Sequence, residues 1–423
     1  MQRLNEAEQA MIEWIEQRQG TLFAQLQLLV ATPSIVGAES ACQEQVASTM
    51  RGVCDSVDVW EPDAAWLESH PAYFPRGVSF AGRPNVVGTV RGRGEGRSML
   101  VNAHVDVVET GPEDAWQFAP WSGTISGGAM HGRGVIDDKA GLAIMLFLAR
   151  GWRELGIRLR GDVILESVAD EEWGGAGTLA TLQRGYLADA AVLFEPTDLA
   201  ICPASRGGQA FRVTVQGRGA HPIRSYEGVS ALDKAIPLLM ALRALEVERQ
   251  ERFRTELFAP YPIFMPITVG TISADEFPSK VPEKCIFQGL FGFSPVESYQ
   301  DARRELEARI AATAAVDPWL LDHPPVVEWP GLCKEGGQTP TDHLVVATMG
   351  KAFADVTGAA PNITAFTAGC DFPYLTRYAG MPGLIFGPGN PVLAHTSAEQ
   401  VKLADLLSAA KVLALVLLRW CGV

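Results

Sequence analysis

Four charged clusters hold side chains able to do chemistry. His104 and Asp106 close the run SMLVNAHVD, and Asp170, Glu171 and Glu172 close DVILESVADEE. Glu195 follows AAVLF, and Asp137 and Asp138 lie in the Gly-rich turn GRGVIDDKAG ahead of an apolar helix. In an open α/β sheet, ligands gather in the crevice beyond the carboxyl ends of the strands. Residues far apart in this chain are therefore expected to converge. One polar cluster at a strand end is usually a solvated loop; several together, with a histidine in the first, are harder to explain that way. Buried carboxylates repel, and one would be expected to stay protonated. A divalent cation removes that difficulty. Imidazole and carboxylate ligands without thiolate fit Zn²⁺, and also Co²⁺ or Mn²⁺. Two ions about 3.5–4 Å apart need a carboxylate and a water between them.

The elements that must position these groups are legible in the apolar runs. The first thirty residues read as helix, with Asn5 as N-cap and Met11, Ile12, Ile15, Leu22, Leu26 and Leu29 at helical spacing. NVVGTVRG, SMLVNAHVD, DVILESVADEE and AAVLFEPT read as strands, and GLAIMLFLAR reads as a strongly apolar helix. Short apolar runs separated by helices imply parallel strands buried on both faces. Near Gly207 the pattern changes. QAFRVTVQGRG alternates apolar and polar, and the order becomes strand–helix–strand–strand–helix through VESYQDARRELEARIAATAA. The expected fold is α/β, a mostly parallel sheet flanked by helices, with an inserted small α+β domain acting as a lid or in dimerisation. Residues 1–207 and 329–423 would form the catalytic domain, and 208–328 the insertion.

With 423 residues, one hydrophobic core is too few, and two domains are expected. A formal charge of −14 argues against nucleic acid, which needs clustered Lys and Arg. Arg3, Glu6 and Glu8 interrupt any apolar stretch at the start, so no secretory signal is expected. No apolar run approaches the roughly 20 residues that span a bilayer. VLALVLLRW, bracketed by Lys411 and Arg419, reads as a buried helix. Seven scattered cysteines without a CxxC pair read as reduced, buried thiols, which places the protein in the cytoplasm. His70, His131, His323 and His343 read as structural.

HVD, GRGVIDDKAG, DEE, FEPT and a late histidine, His395, after a GPG turn occur in the order of a known family. The chain resembles the zinc-dependent metallopeptidases and deacylases that include acetylornithine deacetylase, succinyl-diaminopimelate desuccinylase, aminoacylase and glutamate carboxypeptidase. The likeness runs from about residue 80 to the end; each motif alone is weak, and their order makes them specific. It implies that His104 and Glu195 bind one divalent metal ion, Glu172 and His395 a second, and that Asp137 bridges the two. Zn²⁺ is the implied ion. Asp106 would hold the His104 ring. Glu171 would be the general base, deprotonating the water between the metals and passing a proton to the leaving amine. A cis peptide is implied at Asp137–Asp138. His221, in GRGAHP of the inserted domain, would stabilise the tetrahedral oxyanion, often from a partner subunit, in a homodimer formed through that domain.

The pattern departs from the family in one segment. In FPSKVPEKCIFQGLFGF, Ser279 stands where an Asn is expected and Leu290 where an Arg would bind a substrate carboxylate. Lys280 and Arg206 are the cations nearest to replacing it. The implied activity is hydrolysis of the amide bond of an N-acylated small molecule. A metallo-exopeptidase or dipeptidase on the same scaffold is the alternative. FPSKVP is more like acetylornithine deacetylase-like deacylases than dipeptidases. The intact set of acids and histidines argues against a binding protein without catalysis.

Overall fold

The computed structural model describes residues 4–74, 77–274 and 277–423. They form two compact units. The first comprises Met1–Ala204, Gln338–Phe366 and Cys370–Val423; the second comprises Ser205–Gly337 with Thr367–Gly369. The second unit is thus wider than the 208–328 read from the sequence. The strand Ile201–Ser205 is followed after one residue by Gly207–Gln216, so no linker composition marks the change.

The first unit is built on a mixed sheet. Its strands include β1 (Ser56–Trp60), β2 (Asn85–Val90), β3 (Met99–His104), β4 (Val163–Val168), β5 (Ala190–Leu193), β6 (Ile201–Ser205) and β7 (Gly383–Ile385), with Gly337–Gln338 and Ile363–Phe366 added beside β6. They lie in the order β1-β2-β4-β3-β5-β7-β6. β4, β3, β5 and β7 run parallel, and every residue of these four strands is buried. That is the behaviour of a sheet covered on both faces. β2 runs antiparallel to β4, β1 to β2, and β6 meets β7 antiparallel. The run NVVGTVRG could not reveal its direction, because a strand covered on both faces is apolar whichever way it points.

Helices cover the sheet. Lys139–Leu155 is buried along almost its whole length, and Gly141 lets it close on Phe194, since a Cβ there would lie 2.5 Å from the Phe194 Cβ. The apolar run near the C-terminus is the helix Leu403–Cys421, whose residues 412–418 are all buried. Its two bracketing cations bind the helix Glu6–Gln17: Lys411 Nζ donates to Glu16 and Arg419 Nε to Glu8. Asn5 caps that helix, and its side chain accepts from Glu8 N. Among the described residues no helix is long and apolar enough to cross a membrane.

The second unit has an antiparallel sheet in the order Ile267–Ala274, Lys284–Phe293, Gly207–Gln216, Val326–Glu328. Gly207–Gln216 alternates in burial, and Phe211, Val213 and Val215 face a core with Phe287 and Phe291. Helices Ala231–Arg252 and Tyr299–Ala314 pack together, giving the α+β arrangement expected of the insertion.

Candidate metal centre

The register of the parallel strands decides where the acids meet. His104, the last residue of β3, lies opposite Val168 of β4, and Asn102 lies opposite Leu193 of β5. The chain therefore leaves all three strands along one edge. His104, the Asp170–Glu172 turn and Glu195 emerge there together, as expected at the carboxyl ends of parallel strands. The turn that follows β7 brings His395 to the same edge.

The side chains fall into two groups whose potential ligand atoms lie within 4.8 Å of one another: His104, Glu171 and Glu195, and Asp137, Glu172 and His395. Asp137 joins them. Its Oδ1 lies 2.9 Å from His104 Nε2 and its Oδ2 3.1 Å from His395 Nε2. Glu172 Oε1 is 3.0 Å from the same His395 nitrogen. The Asp137–Asp138 peptide is cis. Gly389, at φ 95°, packs the turn before His395 onto Ile136, where a Cβ would come within 2.1 Å of Ile136 Cγ2.

Asp106 is fully buried and does two things. Its main-chain carbonyl accepts from His104 Nδ1 at 2.9 Å, which puts the ring proton on Nδ1 and directs Nε2 towards Asp137. Its carboxylate lies farther from the ring, at 3.8 Å, and accepts instead from Glu171 N at 3.2 Å and Glu172 N at 3.0 Å. The ring is thus held by the carbonyl and the glutamate turn by the side chain. That turn begins at Asp170, whose φ of 73° takes the chain off the line of β4. With the pleat broken, adjacent glutamates serve different groups, Glu171 the first and Glu172 the second.

The electrostatics ask for a cation. Burial pushes the Glu195 carboxyl well above its usual range, helped by the charges of Asp137 and Glu171. Among the described residues nothing donates a hydrogen bond to that carboxylate, although Glu195 is only 6% exposed. Burial likewise raises Asp106 and Asp138. For His104 burial acts downward, but the Asp137 hydrogen bond and the charges of Asp137, Asp106 and Glu171 outweigh it and raise the ring well above its usual value. Hydrogen bonds to Asp137 and Glu172 hold His395 at about 10. Protons are binding where a divalent ion would bind, and the donor set of carboxylates and imidazoles fits one.

Supporting residues carried no local signal in the sequence. Arg83 donates to both oxygens of Glu39 and to Asp170, all buried. Glu399 accepts from Arg133 and from Ile136 N, tying the loop after His395 to the turn before Asp137. Lys139, buried beside Asp138, donates to the carbonyls of Leu29 and Thr32.

His221 lies in the second unit, exposed, as the cap of the short helix Pro222–Glu227, and its Nδ1 accepts from Ile223 N at 3.3 Å. Leu290 is 38% exposed on Lys284–Phe293. Lys280 pairs with Glu283, and Arg206 donates to the carbonyls of Thr367 and Gly207. The other histidines make ring and capping contacts: His131 packs on Phe118, His323 on Trp319, His70 against Trp66 and Tyr378, and His343 caps Leu344–Thr357.

A family model described as peptidase family M20/M25/M40 matches residues 100–419. The N-formyl-4-amino-5-aminomethyl-2-methylpyrimidine deformylase of Halalkalibacterium halodurans is 28% identical over 96% of this chain and 96% of its own. The acetylornithine deacetylase of Myxococcus xanthus is 28% identical over 80% of this chain and 84% of its own. Aminopeptidase PepT from Bacillus cereus shares the fold at 18% identity, with a TM-score of 0.71 over 94% of this chain and 98% of its own.

Proposed function

The chain belongs to the M20/M25/M40 peptidase family, and from that premise we propose a dinuclear centre that hydrolyses the amide bond of an N-acylated small molecule. The observation that carries the reading is the Asp137 carboxylate, one oxygen against each histidine, between two groups of ligands. His104 and Glu195 would hold one ion, Glu172 and His395 the other, with Asp137 shared. Zn²⁺ is the proposed ion, with Co²⁺ and Mn²⁺ as substitutes. Two such ions would polarise the acyl carbonyl and acidify the attacking water.

The remaining work falls to side chains. Glu171 takes the proton from the water and returns it to the leaving amine. Asp106 holds the turn that aims Glu171 and fixes the His104 tautomer. His221 donates to the oxyanion as the carbonyl becomes tetrahedral. The chain acts as a homodimer through its second unit, where the edge strand Ile267–Ala274 exposes Ile272 and the helix Ala231–Arg252 exposes Ile236, Met240 and Val247. A bare apolar edge strand is a template for pairing with another. Seven free, buried cysteines favour the cytoplasm.

The substrate proposed is an N-formyl or N-acetyl amine whose recognition does not require an arginine at the position of Leu290. The H. halodurans relative, by its name, deformylates an aminomethylpyrimidine. The test reconstitutes metal-free protein with Zn²⁺, Co²⁺ or Mn²⁺ and assays N-formyl and N-acetyl amines beside dipeptides. Two equivalents of metal per chain and amide hydrolysis abolished by chelation are expected. Full turnover by rigorously metal-free protein would overturn the mechanism, and turnover confined to dipeptides would establish the exopeptidase.

A further inference from the structure

We infer that Arg83 and Glu39 are positioning residues for the general base, acting through Asp170 on the turn that carries Glu171. Asp170 sits where the chain leaves β4, and its φ of 73° is uncommon for a residue with a side chain. Its carbonyl closes the turn by accepting from Gly174 N at 2.9 Å and Gly175 N at 2.6 Å. Its Oδ1 accepts from Arg83 Nη2 at 2.8 Å. Arg83 cannot follow a moving turn, because Nε and Nη2 grip both oxygens of Glu39 at 2.7–3.1 Å. Glu39 is fixed in turn by Gly37 N at 3.0 Å. All three side chains are buried.

The turn therefore has two anchors. Asp106 holds the N–H groups of Glu171 and Glu172 from one side. The Arg83–Glu39 pair holds the preceding residue by its side chain. A main chain pinned on both sides of a peptide has little freedom to rotate, so the direction of the Glu171 side chain is set before substrate arrives. A general base must lie within hydrogen-bond reach of the proton it abstracts, and that gives the rigidity a chemical purpose.

A simpler account is that Asp170 is present only because aspartate tolerates left-handed backbone. The two accounts predict opposite results for Asp170→Gly. Glycine adopts φ 73° freely but offers Arg83 no acceptor. Asp170→Asn keeps both the tolerance and an Oδ1. Neither change strands Arg83, which retains both oxygens of Glu39.

The inference rests on Glu171 as the base, so the test includes a readout that does not depend on turnover. Full-length, Zn²⁺-loaded protein is compared for amide hydrogen exchange at Glu171 and Glu172, metal content, and kcat and KM on an N-formyl or N-acetyl amine. Asp170→Gly should lose exchange protection at both amides and lose roughly 10²-fold in kcat, with KM and metal content unchanged. Asp170→Asn should stay near the parent in all four. Parent-like exchange in Asp170→Gly, an equal loss in Asp170→Asn, or loss of metal in Asp170→Gly would each overturn the inference. Glu171→Gln with undiminished turnover would instead remove the base assignment and leave the exchange result to stand on its own.

Discussion

Glu166 offers a test of the buried electrostatics away from the proposed metal ligands. It lies in β4 with no exposure. Its Oε2 accepts from Asn102 Nδ2 at 2.8 Å, while Oε1 has no partner among the described residues. Burial raises the carboxyl from 4.5 to about 7, against the Asn102 hydrogen bond and with help from the charge of Asp371. The folded chain thus keeps a proton that the unfolded chain releases near pH 4.5. Between those values the folded state binds more protons, so stability falls as pH rises. The contribution is whole below about 4.5, and the full penalty is reached above about 7. At about 1.36 kcal/mol per unit of pKa, the window is worth roughly 3 kcal/mol. Glu166→Gln keeps the acceptor for Asn102 and removes the titration. Urea unfolding of parent and variant in EDTA, from pH 5 to pH 8, should show the variant gaining on the parent by about 2–3 kcal/mol. Any offset from repacking the amide is independent of pH. A gap between the two proteins that stays constant with pH would refute a protonated Glu166 in the fold.

Further outcomes bear on the centre itself. Glu171→Gln should keep its metal and lose roughly 10²–10⁴-fold in turnover, whereas Glu172→Gln should bind less of one ion by elemental analysis. The opposite behaviour would exchange their roles. His221→Ala should lose about 10²–10³-fold in kcat at unchanged metal content. Mixed with Glu171→Gln chains, it should recover activity if His221 serves a partner's site; no recovery in demonstrably mixed dimers would mean that His221 acts in its own subunit or not at all. Gly389→Ala would drive a Cβ to 2.1 Å from Ile136 at φ 95° and should reduce metal occupancy by displacing His395 from Asp137; full occupancy would show that the turn can yield.

What the sequence made legible follows from how parallel strands are built. SMLVNA, DVILESV and AAVLF are apolar because both faces of each strand are covered, so the polar residues that follow had to sit at the sheet edge. The side chains that hold the acids in place were not legible. Arg83 reaches Glu39, 44 residues away, and Asp170, 87 away, and no local pattern announces such a pair. Strand direction was hidden for the same reason: the run Asn85–Val90 is apolar in either orientation. The role of Asp106 was legible as a neighbour of the histidine, but which of its oxygens faces the ring depends on a turn that begins 64 residues later.

The two ligand groups also differ in when they can exist. His104, Glu171 and Glu195 all lie in the first half of the chain, so their strands can pair while synthesis is still under way. The other group waits for His395 and for β7 to dock beside β5. Without that late segment the chain would still carry His104, Asp137 and Glu195, proposed for the first ion, but would lack the second ion's histidine. Filling of the proposed second position would therefore report that β7 and the segment carrying His395 have docked. Loading of the second ion would then distinguish chains whose late strand has docked from chains in which it has not.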